Sequence, residues 1–343
     1  MRSLGGSPEA LLRRAGIDPT AIAGAGIGYR AVATVLEQAA LELRCSDFGM
    51  RLACLQGGGK AFGLMGLVMK NSSTFGQALN YVAEHSYAHS LAARVHLEPD
   101  RGGRFVGHEI LLDGLAERRQ IIEQFMLLGH LNARQITGGK AQVRRVLFRG
   151  RPVSAPATYR RHFGCEVRFE QEADGVVFSE RDLNCPILDR DERLYERVTS
   201  IIDRRFSRAA QPVHAQVRAL ILEFIATEDC SDERVAAKLG LHPRTLRRRL
   251  KAEGESFQAL KERVRRDVAL SYLENTGLPL ARIAEKLGYS AHSAFSRSCL
   301  AWFSATPSEL RGRSAVRRGP RSDHHATTAP SVPDCQAPRR SAQ

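Results

Sequence analysis

The chain has 343 residues, 43% of them hydrophobic, with 51 Lys+Arg against 37 Asp+Glu. That length predicts about two domains with ordinary buried cores, and the net charge of +14 fits a polyanionic partner. No stretch approaches the roughly 18 uninterrupted apolar residues of a membrane span; the start "MRSLGGSPEALLRRAG" lacks a secretory apolar run, and seven scattered cysteines without a C-x-x-C pair argue against a disulfide framework or zinc site, so a reducing cytoplasm is expected.

Residues 8–55 read as helical. In "YRAVATVLEQAALELR", Val32, Val35, Leu36, Ala39, Ala40 and Leu43 form a helix-type stripe. "QGGGKAF" (56–62) reads as a turn, because a phosphate loop needs G-x-x-x-x-G-K-[ST] and Ala61 follows Lys60. "TFGQALNYVAEHSYAHS" is a second helix with Thr74 as N-cap. His85 and His89 have a metal-competent i,i+4 spacing there. No Glu follows His85 and no Cys cluster supports it, so both read as surface or pocket-wall residues. From about residue 91 the pattern alternates, and "LAARVHLEPDRGGRFVGHEI" predicts two strands around a Pro-Asp-Arg-Gly-Gly turn.

"ERRQIIEQFMLLGHLNARQITG" returns to helix, with Ile121, Ile122, Phe125, Leu128 and Leu131 on one face. "VRRVLFRG" predicts a strand, "SAPATYRRHFG" a loop and helix, and "EVRFEQEADGVVFSE" a hairpin turning at "ADG". Residues 1–205 therefore read as an α+β domain. A pocket between the "YVAEHSYAHS" helix and the following strands would use Tyr81, His85 and Arg94. There is no G-x-S-x-G and no Cys/His pairing singled out by spacing, so no catalytic residues, metal or cofactor are expected. "RFSRAAQPV" marks a polar linker at 206–213. Residues 214–312 read as helices in short pieces, and 313–343 as a basic, disordered Arg/Ser/Pro/Ala-rich tail.

Residues 211–310 carry 15 Lys+Arg and 12 Asp+Glu, so only clustering of the cations can make a binding face there. They do cluster: five of the eight residues Arg244 to Lys251 are basic and none is acidic. The block also repeats. "RVAAKLG" (234–240) and "RIAEKLG" (282–288) share five of seven residues at an offset of 48. Each is a short helix with an apolar face, ended by a glycine suited to a left-handed turn (Gly240, Gly288) and followed by a second helix. In the first second-helix, Pro243 suits the opening turn, and Leu246 and Leu250 face the core. In the other, Ser290 is the expected N-cap, and Phe295, Cys299 and Trp302 or Phe303 form the buried stripe. Between the units, "SFQALKERVRRDVALSYLENT" predicts one helix of about 18 residues, about 27 Å long. That can set two recognition helices about one DNA turn, roughly 34 Å, apart.

Residues 230–311 resemble the DNA-binding domain of the AraC/XylS family of transcription regulators. The resemblance rests on Gly288, Tyr289, Ser290, Ser293, Phe295, Ser296, Arg297, Phe303, Pro307 and Arg311. "FGLMG", "STFGQAL", "YRRHFGCEVRFE" and "DLNCPILDRDERL" are similar to the arabinose-binding-type effector domain of the subgroup that includes ornithine-utilisation-type regulators. Three positions depart from the pattern: His242 where Ser is usual, a poorer N-cap, and Cys299 and Leu300 where an aromatic residue and a Lys are usual. The resemblance implies a sequence-specific regulator, an activator acting through RNA polymerase, that binds promoter or operator DNA as a homodimer and answers a small effector of unknown identity.

The residues expected at DNA are Arg244, Thr245, Arg247, Arg248 and Lys251 in the first unit. In the second they are Ser290, His292, Ser293, Ser296 and Arg297. Arg244 and Arg248 are assigned to bases, since Arg pairs bidentately with guanine, and Thr245 and Lys251 to the backbone. Two rivals stand beside this reading. An alkyl-accepting cysteine enzyme fused to such a domain would need a zinc-bound cysteine cluster. An effector-independent architectural DNA binder would show no saturable ligand effect.

Overall fold

The computed structural model describes residues 6–18, 27–90, 92–112, 115, 118–206, 212–225, 230–276 and 278–317. Five helices come first: α1 (Pro8–Arg14), α2 (Tyr29–Glu42), α3 (Phe48–Gln56), α4 (Leu64–Asn71) and α5 (Phe75–His85). A 3-10 turn at Gly59–Phe62 separates α3 from α4, where the "QGGGKAF" turn was expected. Thr74 caps α5 as predicted, its side-chain oxygen accepting the Gln77 amide at 3.1 Å.

The predicted strand pair follows as β1 (Ala93–Asp100) and β2 (Gly103–Ile110), antiparallel with Asp100 opposite Gly103. Gly102 supplies the positive φ of +74° that this tight connection requires. Next come α6 (Arg119–Ile136), β3 (Arg145–Leu147), α7 (Pro156–Phe163), β4 (Glu166–Arg168), β5 (Gly175–Ser179), α8 (Glu180–Leu183) and α9 (Glu192–Arg205). The sheet order is β1-β2-β5-β3-β4.

One expectation fails here. β4 and β5 do not pair as a hairpin, because β3 lies between them, parallel to β4 and antiparallel to β5. Val146 of β3 is fully buried there, and Phe178 of β5 nearly so. An apolar strand from earlier in the chain outcompetes the local partner for the central position.

One core joins this sheet to α3–α7 and α9, with Met50, Val68, Phe75, Leu127 and Ile202 among its buried members. A small second core holds α1 and α2 against the start of α6 through Leu11, Leu36 and Ile121. The third core belongs to the last seven helices: α10 (Val213–Phe224), α11 (Asp232–Lys238), α12 (Pro243–Ala252), α13 (Phe257–Asn275), α14 (Leu280–Lys286), α15 (His292–Phe303) and α16 (Pro307–Arg317). The periodicity of α13 predicts Phe257, Leu260, Val264, Val268 and Tyr272 inward; all are buried except Val268, which is half-buried. α16 runs on to Arg317, past the point where the composition turns tail-like. Residues 207–211 of the expected linker and 318–343 of the expected tail lie outside the described residues.

The helical part meets the sheet-bearing part through polar contacts. Arg118 donates to Ser271 Oγ at 3.1 Å, Arg218 to the Leu111 carbonyl at 2.7 Å, and Lys286 pairs with Glu172 at 2.8 Å. The Arg149 guanidinium lies 4.7 Å from the Tyr272 ring centre and donates to its hydroxyl at 3.4 Å.

Candidate nucleic-acid interface

The repeat in the sequence becomes a repeat in space. α11 and α14 each end at a glycine with positive φ, +64° at Gly240 and +68° at Gly288. A side chain there would be strained, and at Gly288 a Cβ would also meet the Ile225 carbonyl oxygen at 2.4 Å. After each turn a second helix starts, α12 or α15. Leu246 and Leu250 anchor α12, and Phe295 and Cys299 anchor α15; all four are fully buried. Trp302 and Phe303 complete the α15 stripe only in part, being half-buried.

At about 100° per residue, Leu246 and Leu250 define the inward direction of α12. Arg244, Arg248 and Lys251 then point to the opposite side, while Arg247 and Arg249 flank the helix. All five are exposed, and Thr245 is half-buried. The side chains of Arg244, Arg248 and Lys251 make no hydrogen bond or ion pair among the described residues. Arg247 differs. Its guanidinium pairs with Asp232 and, at 3.1 Å, with Glu233 on α11. The Asp232 carboxyl is held below its usual range chiefly by that bond. Arg247 therefore ties the two helices together and can reach a phosphate only by leaving its carboxylates.

His242 caps α12 after all, its Nδ1 accepting the Arg244 amide at a long 3.3 Å. Ser290 does not cap α15. The chain stays extended through Ala291 (φ −141°, ψ 137°), so the cap position falls on Ala291, which has no side-chain acceptor. Ser290, His292, Ser293 and Arg297 are exposed and Ser296 is half-buried. Leu300, where a cation was expected to be missing, is an exposed apolar residue.

The long helix braces both units. α13 has 19 residues, so it spans about 28 Å at about 1.5 Å per residue. Its Arg265 donates to the carbonyls of Leu287 (3.0 Å) and Gly288 (3.1 Å) and stacks over Tyr289, fixing the second turn. Glu253, just after α12, accepts the amides of Val213 and His214 at 2.7 and 2.8 Å and thereby caps α10.

A cavity does lie beside α5 and the strands that follow it, but Tyr81, His85 and Arg94 are not in its lining. Tyr81 and His85 stack on each other at 4.0 Å on the side of α5 turned to α9, where His85 Nε2 stands 4.0 Å from Asp203. Arg94 pairs with its cross-strand neighbour Glu109 at 2.7 Å. None of the three lines the cavity between α5, the sheet and α6, a space of about 900 Å³ counting its mouth. Helix and strand geometry explain the miss. Phe75, Leu79 and Val82 share the α5 face that lines the cavity, with Ser86 just past its end, and Ala93 and Val95 the corresponding β1 face; Tyr81, His85 and Arg94 lie off these faces.

His89, read from the sequence as a surface or pocket-wall residue, lines that cavity; Tyr29 and His108, which also bring polar atoms to it, are the residues that sequence reasoning missed. The signal was present in "FVGHEI", where His108 is two residues from inward-facing Val106. Among the described residues, no group of three or more His, Cys, Asp or Glu could hold a metal ion, and no helix is long and apolar enough to cross a membrane.

Residues 5–187 match the family model described as the arabinose-binding domain of AraC transcription regulator, N-terminal, and residues 235–313 match a helix-turn-helix domain. The chain is 34% identical over 326 residues to the HTH-type transcriptional regulator VirS of Mycobacterium tuberculosis, covering 92% of this chain and 94% of that protein. It is 27% identical over 271 residues to the ornithine utilization regulator of Pseudomonas aeruginosa, covering 73% and 74% of the two. The crystal structure of the transcriptional regulator CdpR from Pseudomonas aeruginosa superposes with a TM-score of 0.44 at 20% identity, over 91% of this chain and 97% of that one.

Proposed function

The chain belongs to the AraC family of transcription regulators, DNA-binding proteins rather than enzymes, and from that premise we propose that it reads a specific operator through two helix-turn-helix units under the control of a small effector. The observation that carries this is the outward face of α12. Arg244, Arg248 and Lys251 stand exposed on it without side-chain partners among the described residues, on a helix whose opposite side is locked into the core. Unpaired cations held on a rigid helix lose little on meeting phosphates and guanine edges.

Arg244 and Arg248 contact bases, and Thr245 and Lys251 the backbone, while Arg247 mainly braces α11. Ser290, His292, Ser293, Ser296 and Arg297 form the corresponding surface of α15. With fewer cations and Leu300 exposed, the second unit binds more weakly. α13 holds the two recognition helices for successive major grooves on one face of the duplex.

Residues 1–205 sense the effector and dimerise, 206–213 link, and the helices through α16, which reaches Arg317, bind DNA; the sequence beyond is basic. The protein acts in the cytoplasm as an activator contacting RNA polymerase. Coupling between the parts runs through the contacts of Glu172 with α14, of Arg149 and Arg118 with α13, and of Leu111 with Arg218 on α10. An effector acts only if it favours one arrangement of these contacts energetically.

Selection of bound duplexes from a random DNA pool with the full chain tests this. Enrichment of a motif with two half-sites about 10 base pairs apart is expected. Binding that only fades with rising salt, with no enriched sequence, would leave the architectural reading.

A further inference from the structure

The cavity between α5, the sheet and α6 has an unusual wall for a domain that matches an arabinose-binding family. Among the described residues twenty line it, and none of these is Lys, Arg, Asp or Glu. Most of the described wall is Phe, Met, Val and Leu. Its polar side chains among the described residues are those of Tyr29, Ser86, His89, Ser90 and His108. Phe125 stacks on His108 at 3.8 Å and meets Phe62 edge-on at 5.6 Å, which fixes the rings at one end.

His108 is the one deeply buried polar residue in this wall. Its Nε2 lies 3.3 Å from the Tyr29 hydroxyl. Its Nδ1 is buried with no hydrogen-bond partner. A buried polar atom left unpaired costs about 1–3 kcal/mol. Burial also holds the imidazole neutral, lowering its pKa to about 3. The site therefore presents no charge at ordinary pH.

A pentose has a hydroxyl on nearly every carbon, and this wall would leave several of them unpaired. A cationic amino acid would find no carboxylate, and a carboxylate no cation. We propose that the effector of this chain is a neutral, largely apolar small molecule whose single polar group bonds His108, and not a sugar or a charged amino acid. This rests on the regulator reading above and names the ligand class for it. His108 also lines a second, polar cavity facing α13, with Glu109, Arg149 and Asp267. A group bound at His108 thus sits one strand residue from the contacts that join the two parts.

Gly129 supplies the test. It lines the cavity from α6, and a Cβ built on it meets nothing within 4 Å. Gly129→Leu should fold, since it removes a glycine from a helix interior, and its side chain should occupy the cavity. The probe is N-phenyl-1-naphthylamine, a neutral dye that fluoresces in apolar sites, titrated into the full chain. Saturable binding, weakened at least tenfold by Gly129→Leu, is expected. 1-Decanol should displace the dye at least tenfold better than decanoate, and L-arabinose and L-ornithine should not displace it. Absence of saturable binding, equal binding by Gly129→Leu, or displacement by arabinose, ornithine or decanoate as good as by decanol would overturn the proposal. The same preparations are tested on the duplex from the random-pool selection. For the wild-type chain, no saturable dye binding with duplex binding intact refutes the ligand class alone, whereas no duplex binding with saturable dye binding intact refutes the regulator reading alone; Gly129→Leu should lose the dye and keep the duplex.

Discussion

Replacing Arg248 by Ala separates base reading from phosphate holding on α12. The Arg248 side chain is exposed, points away from Leu246 and Leu250, and makes no contact that holds the fold. Its removal should leave stability within about 0.5 kcal/mol, as for ordinary surface sites. On DNA, loss of a bidentate pair to guanine costs roughly 1–3 kcal/mol, or roughly 5- to 150-fold in affinity. The loss should fall on one base position. The assay is fluorescence anisotropy against the selected duplex and a panel changed one base pair at a time. For the variant, one position should stop discriminating while the others keep their preferences. Lys251→Ala is the contrast: it should weaken every duplex alike and lower the salt slope by about 1. If Arg248→Ala weakens all duplexes equally, or changes nothing, the assignment of that side chain to a base is wrong.

Three further outcomes follow from the packing. Leu250→Ala, at a fully buried position, should cost about 2–5 kcal/mol in urea unfolding; a smaller loss would mean that α12 is not anchored as described. Glu123 is buried against the Tyr159 hydroxyl at 2.6 Å, and burial raises its carboxyl to about 8. A raised folded pKa stabilises below about 4.5 and loses that contribution as pH rises through about 8, so Glu123→Gln should gain on wild type by on the order of 3 kcal/mol between pH 5.5 and 8.5. Equal pH profiles for the two proteins would refute it. Glu172→Gln should change global stability by less than about 1 kcal/mol, because the pair with Lys286 is half-exposed, yet speed amide exchange in α14; unchanged exchange there would remove Glu172 from the contact between the parts.

The helical half was the most legible in the sequence. "RVAAKLG" and "RIAEKLG" announce α11 and α14, and glycine chemistry alone places the two turns. Leu246 and Leu250 give the rotation of α12, so its outward cations follow from spacing. What spacing does not give is pairing across elements. Nothing in "RTLRRRL" says that Arg247 alone is claimed by Asp232 and Glu233, fifteen and fourteen residues away. The hairpin read in "EVRFEQEADGVVFSE" fails for the same reason, because β3 comes from earlier in the chain to lie between β4 and β5. In the effector region the expected location, between the helix and the strands, agrees with the cavity while the residues do not. Tyr81 and His85 are chemically inviting but lie off the face of α5 that lines it. His108 carries the polar chemistry from a strand that reads as plain core.

The central claim is that two rigidly joined units read adjacent major grooves on one face of the duplex. Inserting five base pairs between the half-sites of the selected operator tests it most directly, since half a helical turn moves them to opposite faces. Affinity for the inserted duplex should fall to that of a duplex carrying a single half-site. Unchanged affinity would contradict it, because a reader braced by α13 cannot follow a half-site to the far side of the DNA.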